Sequence, residues 1–206
     1  MREIFSTVQG EGRNTGLPAT FIRFAGCNLS CPWCDTRRHT KELLSLSEIM
    51  SNVRKLKNRA VVITGGEPTT VVGLGNLLSR LKDEGYWLAL ETNGLKVVPE
   101  IEMFDYVAVS PKYFYRAKYL VDSIVQKADE VRIVAESAGM EDFCRRMRER
   151  IAAGNYYISP LDENGKMHYR RAFNLMLKLN SSLSVKTAPW PPWSISIQTH
   201  KVLGVK

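Results

Sequence analysis

Ala60-Val61-Val62-Ile63-Thr64-Gly65-Gly66-Glu67-Pro68 is the stretch that decides how this chain folds. Its first five residues, mostly branched and apolar, read as a short buried strand, and the two glycines stop it. Leu74, Leu77, Leu78 and Leu81 then recur at helical spacing until Gly85 ends the helix. Residues 87–91 form a second strand, closed by Thr92-Asn93-Gly94. A strand, a helix and another strand in that order form one right-handed βαβ unit of a parallel sheet.

The same alternation extends outward. Upstream, residues 3–6 and 19–24 read as strands around a glycine-rich loop at 9–16. Ser45-Leu46-Ser47-Glu48 has the form of a capping box and should start a helix running to about residue 55. Downstream, strands are expected at 106–110, 130–134, 156–159 and 194–198. Helices are expected at 117–127, 140–151 and 167–179, and residues 183–186 carry no clear period. About six or seven core strands point to an α/β fold with an open or incomplete barrel rather than a closed one of eight. No repeat or linker divides residues 1–206, which read as a single domain.

The chain has 206 residues, of which 44% are hydrophobic and 24% charged, the balance of a globular protein. No apolar run is long enough to span a membrane, and the N-terminus lacks a signal-peptide pattern, so the expected compartment is the cytoplasm. Lysine and arginine outnumber aspartate and glutamate by 29 to 21, but the excess is scattered and gives no nucleic-acid footprint. His39 and His168 read as surface or capping residues, and Trp190 and Trp193 as packing groups.

Chemistry concentrates where the strands end. Cys27, Cys31 and Cys34 have the spacing Cys-x3-Cys-x2-Cys, and in a reducing compartment they read as metal ligands. Thiolates are the soft ligands that iron–sulfur clusters and zinc prefer. A structural zinc site needs four ligands, which His39 or Cys144 would have to complete here; a four-iron cluster on three thiolates keeps one iron open. Cys144 otherwise reads as a small packed side chain. The glycines at 65 and 66 would let a ligand approach the backbone, and Glu67 offers an anionic acceptor for an ammonium. Ser110-Pro111-Lys112, Ser159-Pro160-Leu161-Asp162 and Gln198-Thr199-His200 also follow expected strands. In parallel α/β folds the C-terminal strand ends share one ligand-binding face.

The three-cysteine loop, with Trp33 just before Cys34, together with the Gly-Gly-Glu-Pro turn, resembles the radical S-adenosylmethionine superfamily. Residues 3–12, Gly16, Pro18, Phe21, Arg23, Gly26-Cys27-Asn28 and Cys34-Asp35-Thr36 narrow this to the 7-carboxy-7-deazaguanine synthases. That resemblance implies a partial TIM-like β/α barrel of the radical S-adenosylmethionine type. It implies a 4Fe–4S cluster on Cys27, Cys31 and Cys34, with S-adenosylmethionine on the open iron. Trp33, Cys34, Asp35, Gly66, Glu67, Ser110, Pro111, Lys112, Ser159, Pro160, Leu161 and Asp162 match the family's cofactor contacts. Val8, Gln9, Gly10, Glu11, Arg23, Thr64, His200 and Lys206 match its pterin contacts, and Thr36 its magnesium ligand. Ser159 stands where the family pattern has glutamine.

The implied activity is a lyase that converts 6-carboxy-5,6,7,8-tetrahydropterin to 7-carboxy-7-deazaguanine with loss of ammonia. The implied partners are a flavodoxin- or ferredoxin-like electron donor and a second copy of the chain. Two other readings of the residues stay open: a glycyl-radical-enzyme activase and a zinc or nucleic-acid-binding module.

Overall fold

The computed structural model describes residues 3–34, 43–120, 123–181 and 191–205. Seven strands run parallel to one another: β2 (Pro18–Phe24), β3 (Ala60–Gly65), β4 (Trp87–Thr92), β5 (Tyr106–Val109), β6 (Lys127–Ala135), β7 (Ala152–Pro160) and β10 (Trp193–Ile195). β1 (Glu3–Val8) pairs antiparallel with β2. Their loop is too short for a crossover, so the two can only run in opposite directions. A small hairpin of β8 (Asp162–Glu163) and β9 (Lys166–Met167) stands apart. The order β1-β2-β3-β4-β5-β6-β7-β10 leaves β1 and β10 as the two edges, so the sheet is an open, partial β/α barrel.

Helices cover the outer face. The capping box starts α1 (Leu46–Leu56) as its residues require: Ser45 Oγ accepts from the Glu48 N–H at 3.3 Å, and the Glu48 carboxylate accepts from the Ser45 N–H at 2.7 Å. α2 (Leu74–Asp83) buries Leu74, Leu77, Leu78 and Leu81 against Ile22, Ile63 and Leu88. α3 (Glu141–Arg150) and α4 (Tyr169–Ser181) cover the other end through Phe143, Met147, Leu175 and Leu179. A one-turn helix, α5 (Thr199–Val202), follows β10. Cys144 is fully buried in α3, a packed side chain as expected.

Three expectations are corrected. Residues 117–127 do not form a helix: a kinked 3-10 segment, Tyr113–Leu120, precedes β6, which already begins at Lys127. Tertiary contacts override the local pattern here. Tyr119 is fully buried, and its hydroxyl donates to the Asn93 carbonyl at 2.9 Å and accepts from the Lys112 N–H at 3.1 Å. β6 and β7 are each nine residues, longer than expected, because their N-terminal halves pair with each other. The last strand is shorter, ending at Ile195. Residues 183–186, His39 and Trp190 lie outside the described residues, while Trp193 packs against Tyr156 with ring centroids 5.3 Å apart.

Alternation along the strands gives the barrel interior two zones. Phe21, Val62 and Ala89 form an apolar floor with Phe5 and Tyr106. Two residues further along the same faces stand Arg23, Thr64 and Glu91, and the register places Arg23 opposite Thr64.

Candidate active site

The cysteine loop leaves the end of β2 and is held from three sides. Gly66 N–H donates to the Phe24 carbonyl at 3.0 Å, and Glu67 N–H to the Gly26 carbonyl at 2.9 Å. A Cβ on Gly66 would lie 1.7 Å from the Gly26 oxygen, and one on Gly65 2.2 Å from the Phe24 oxygen. The glycine pair therefore serves first to seat the cysteine loop against β3. On the second side, Asn93 Nδ2 donates to Asn28 Oδ1 at 2.7 Å. On the third, the Ser30 N–H donates to the Tyr115 hydroxyl at 2.9 Å, and Trp33 meets Phe114 edge to face.

Glu67 acts as an acceptor first toward its own protein neighbours. It is fully buried, and one carboxylate oxygen accepts from Thr69 N–H, Thr69 Oγ1 and Thr92 Oγ1. The other accepts from the Asn93 N–H at 2.8 Å. Oε1 is fully engaged, while Oε2 carries a single bond and keeps acceptor capacity. Glu67 ties the β3 turn to the β4 turn, which in turn holds Asn28.

The three loop cysteines lie within electrostatic reach of one another. Burial pushes the thiols of Cys27 and Cys31 up, and the Lys112 ammonium opposes that shift at both. Among the described residues no three Cys, His, Asp or Glu side chains converge as closely as one bare metal ion requires. A four-iron cluster is wider than an ion and does not require its ligands to converge on one point. The donor set fits such a cluster: three soft ligands on one loop, one cation nearby, and neighbours that fix the loop's path.

The segments that follow β5 and β7 leave the sheet at the same end as the cysteine loop. Ser110 N–H donates to the Thr92 carbonyl at 2.8 Å, and Lys112 Nζ to Ser110 Oγ at 2.7 Å. Pro111, Pro160 and Leu161 are buried. Ser159 Oγ is buried and has no hydrogen-bond partner among the described residues, as a group awaiting a ligand would be. The Asp162 carboxylate accepts from the Gly165 N–H at 2.8 Å and pairs closely with Lys201, which holds α5 to the β8–β9 hairpin. Asp35, Thr36 and Lys206 fall outside the described residues.

The loop from Gln9 to Gly16 crosses the open interior. Val8 ends β1 opposite Pro18, and Gln9 Nε2 donates to Glu91 Oε1 at 2.8 Å. The Gly10 carbonyl accepts from both the N–H and the hydroxyl of Thr199, at 2.9 and 3.0 Å. A Cβ on Gly10 would collide with the His200 ring. Glu11 feels the charge of His200 and bonds to Gln198. Arg23 pairs with Glu3 at 3.3 Å and lies over the Phe5 ring. Gln9, Glu11, Arg23, Thr64 and His200 thus share the interior or its rim. Sequence reasoning missed Glu130 and Arg132, which complete this polar zone from β6. Their alternation in Glu130-Val131-Arg132-Ile133 was the available signal, since residues two apart on a strand face one way.

Residues 21–128 match the model of the radical SAM superfamily. The chain is 44% identical over 204 residues to a 7-carboxy-7-deazaguanine synthase of Haemophilus influenzae, an alignment covering 99% of this chain and 92% of that protein. A protein of the same name from Neisseria meningitidis is 45% identical over the same shares. The crystal structure of QueE from Escherichia coli superposes with a TM-score of 0.67 at 23% identity, covering 96% of this chain and 92% of that one, a likeness of fold.

Proposed function

The chain belongs to the radical SAM superfamily and, within it, to the 7-carboxy-7-deazaguanine synthases, and from that membership we propose the reaction and the role of each residue. The chain is a lyase that converts 6-carboxy-5,6,7,8-tetrahydropterin to 7-carboxy-7-deazaguanine with release of ammonia. The observation that carries this reading is the meeting of the Gln9–Gly10–Glu11 loop with Thr199 and His200 over the same interior that the cysteine loop faces. An activase that works on a protein, or a zinc module, has no use for that polar lining.

Cys27, Cys31 and Cys34 would hold the 4Fe–4S cluster, with S-adenosylmethionine beside it. When bound, the pair supplies a one-electron cleavage that generates a 5′-deoxyadenosyl radical able to remove hydrogen from C6 of the pterin. The protein's own groups bind, orient and exclude water. Trp33, Gly66, Ser110, Pro111, Lys112 and the Ser159–Asp162 segment line the cofactor side, and Ser159 Oγ is free to bond there. Arg23 would orient the substrate carboxylate, for which its guanidinium fork is suited. Gln9, Glu11, Thr64 and His200 offer the amide, carboxylate, hydroxyl and imidazole partners that a donor-rich heterocycle needs. Asp35 on the cofactor side and Lys206 on the substrate side are carried over from the family pattern.

The Thr36 hydroxyl would contribute to holding magnesium, which would supply neutralisation of the substrate's negative charge. We further read residues 1–206 as one domain, because a single eight-stranded sheet takes strands from Glu3 to Ile195. The reading also includes a homodimer, a flavodoxin- or ferredoxin-like donor and a cytoplasmic setting in which thiols stay reduced. Among the described residues no helix is long and apolar enough to cross a membrane.

The test is anaerobic reconstitution with iron and sulfide, then incubation with the pterin, S-adenosylmethionine, magnesium and dithionite. Deazapurine and deoxyadenosine should both appear by liquid chromatography and mass spectrometry. Deoxyadenosine without deazapurine would overturn the substrate assignment. Thr36→Ala should lose at least tenfold of the magnesium stimulation at unchanged iron content; full stimulation would remove Thr36 from the metal site.

A further inference from the structure

Arg132 is 4% exposed, yet its guanidinium is shared among three carboxylates. Nη1 donates to Glu11 Oε2 at 2.7 Å, Nη2 to Glu91 Oε1 at 3.1 Å, and Nε to Glu130 Oε1 at 2.9 Å, with a closer second contact from Nη2 to that last oxygen. The acids arrive from the loop after β1, from β4 and from β6 itself. Glu130 is the anchor of the group. Its side chain is buried, and its second oxygen accepts from the Tyr106 hydroxyl at 2.8 Å and the Arg13 N–H at 2.9 Å. A Cβ on Gly12 would lie 2.2 Å from the Glu130 carboxylate, so the loop is laid directly on it.

Glu11 and Glu91 differ from Glu130 in one respect. Each side chain remains 20% exposed, on the interior side where Gln9 and His200 stand. Three carboxylates on one guanidinium leave an excess of two negative charges if all are ionised. In a buried site that excess is costly, and a proton on one acid relieves it. Burial pushes Glu91 up, and the charges of Glu130 and Glu11 add to this against the pull of Arg132. Burial is also the largest effect on Glu11, but Arg132 and His200 together outweigh it and leave that carboxyl lowered. Tyr106 and Tyr157 face Glu130 from the neighbouring strands, and both hydroxyls are pushed up, mainly by burial.

We propose that Arg132, seated on Glu130, is a positioning residue that holds Glu11 and Glu91 in the orientation and charge state with which they meet the substrate. This rests on the chamber being the pterin site. Lysine cannot substitute, because a point charge on a flexible stem cannot span three acids as a planar fork does. Neither Glu11 nor Glu91 could then keep its place against the other.

The test uses Arg132→Lys in the reconstituted holoenzyme, with Glu130→Gln/Arg132→Met as a second variant that removes one charge of each sign. Circular dichroism, iron content and S-adenosylmethionine binding should stay within twofold of wild type for Arg132→Lys. Equilibrium binding of the carboxytetrahydropterin to the unreduced protein should weaken at least tenfold. In turnover, kcat/KM should fall a hundredfold or more, and the acid limb of its pH profile should move. Substrate binding and pH profile unchanged in Arg132→Lys would overturn the proposal. So would a parallel loss of iron and S-adenosylmethionine binding, or failure of both variants to fold, since these mark a merely structural residue. A wild-type protein that makes no deazapurine, whatever the variants do, would instead sink the reaction assigned above.

Discussion

At the scale of single residues, Gly66 is the tightest fit in the site, because a methyl group there would overlap the Gly26 carbonyl oxygen. The three nearest atoms are all backbone of Gly26 and Cys27, so no side chain can move aside to make room. Gly66→Ala should cost about 1–3 kcal/mol by overpacking, and in a chain of this size each kcal/mol lowers the Tm by about 2–4 °C. Thermal melts of the apoprotein check the first effect, and iron content after reconstitution should fall to half or less as the cysteine loop is displaced. A variant that loads iron fully would show that the loop does not depend on this contact. The cysteines, glycines and Thr92-Asn93-Gly94 were legible in the sequence because their types and spacing are unusual. The direction of Glu67 was not. A carboxylate after a strand can point to a ligand or into the next turn, and only the placement of Thr69, Thr92 and Asn93 decides.

Among the elements, the 3-10 segment Tyr113–Leu120 does work that the sequence pattern assigned to a helix. It carries Tyr115 and Phe114 to the cysteine loop and buries Tyr119 beneath Asn93. Its first two N–H groups donate to Glu136, at 3.0 and 2.7 Å. Burial pushes the Glu136 carboxyl up to about 7, against those two N–H groups and the Lys112 charge, from an ordinary 4.5. The folded form therefore holds a proton that the unfolded chain has lost between those values. The stability contributed by this group is complete below about pH 4.5 and declines as pH rises through about 7. The Tm of the wild-type apoprotein should fall more steeply from pH 5 to pH 7.5 than that of Glu136→Gln. Equal slopes would contradict the assignment. The mixture of aromatic, basic and apolar residues at 113–120 has no dominant period, so local pattern could not reveal an element fixed by contacts to Asn93, Ser30 and Glu136.

For the whole molecule, the parallel order was legible because each polar signature follows a strand, which puts all of them at one end of the sheet. The open edge was less so. β10 is three residues long, pairs with β7 on one side, and is clasped by Asn180, whose side chain accepts from the Trp193 N–H at 3.0 Å and donates to the Trp193 carbonyl at 2.8 Å. No periodicity in residues 191–195 announces a strand clasped in this way. Asn180→Ala removes both bonds, each contributing about 1 kcal/mol, and frees the strand that leads to Thr199 and His200. The expected outcome is a Tm lower by several degrees, a KM for the pterin raised at least fivefold, and S-adenosylmethionine binding unchanged. An unchanged KM would mean that α5 is held by Gly10 and Asp162 alone.

The bond between Thr199 and Gly10 joins residues 189 apart in the chain, and it has a consequence for the order in which the protein is made. Everything that seats the cysteine loop, from Phe24 to Glu136, has been synthesised well before Thr199 leaves the ribosome. The proposed substrate side needs Gln9 and Gly10, made before all of these, and Thr199 and His200, made after them. A chain synthesised only as far as Glu136 therefore already carries every partner named for the cysteine loop, while Gly10 still lacks Thr199. The two parts are completed at different times, and a break between Glu136 and Thr199 separates them.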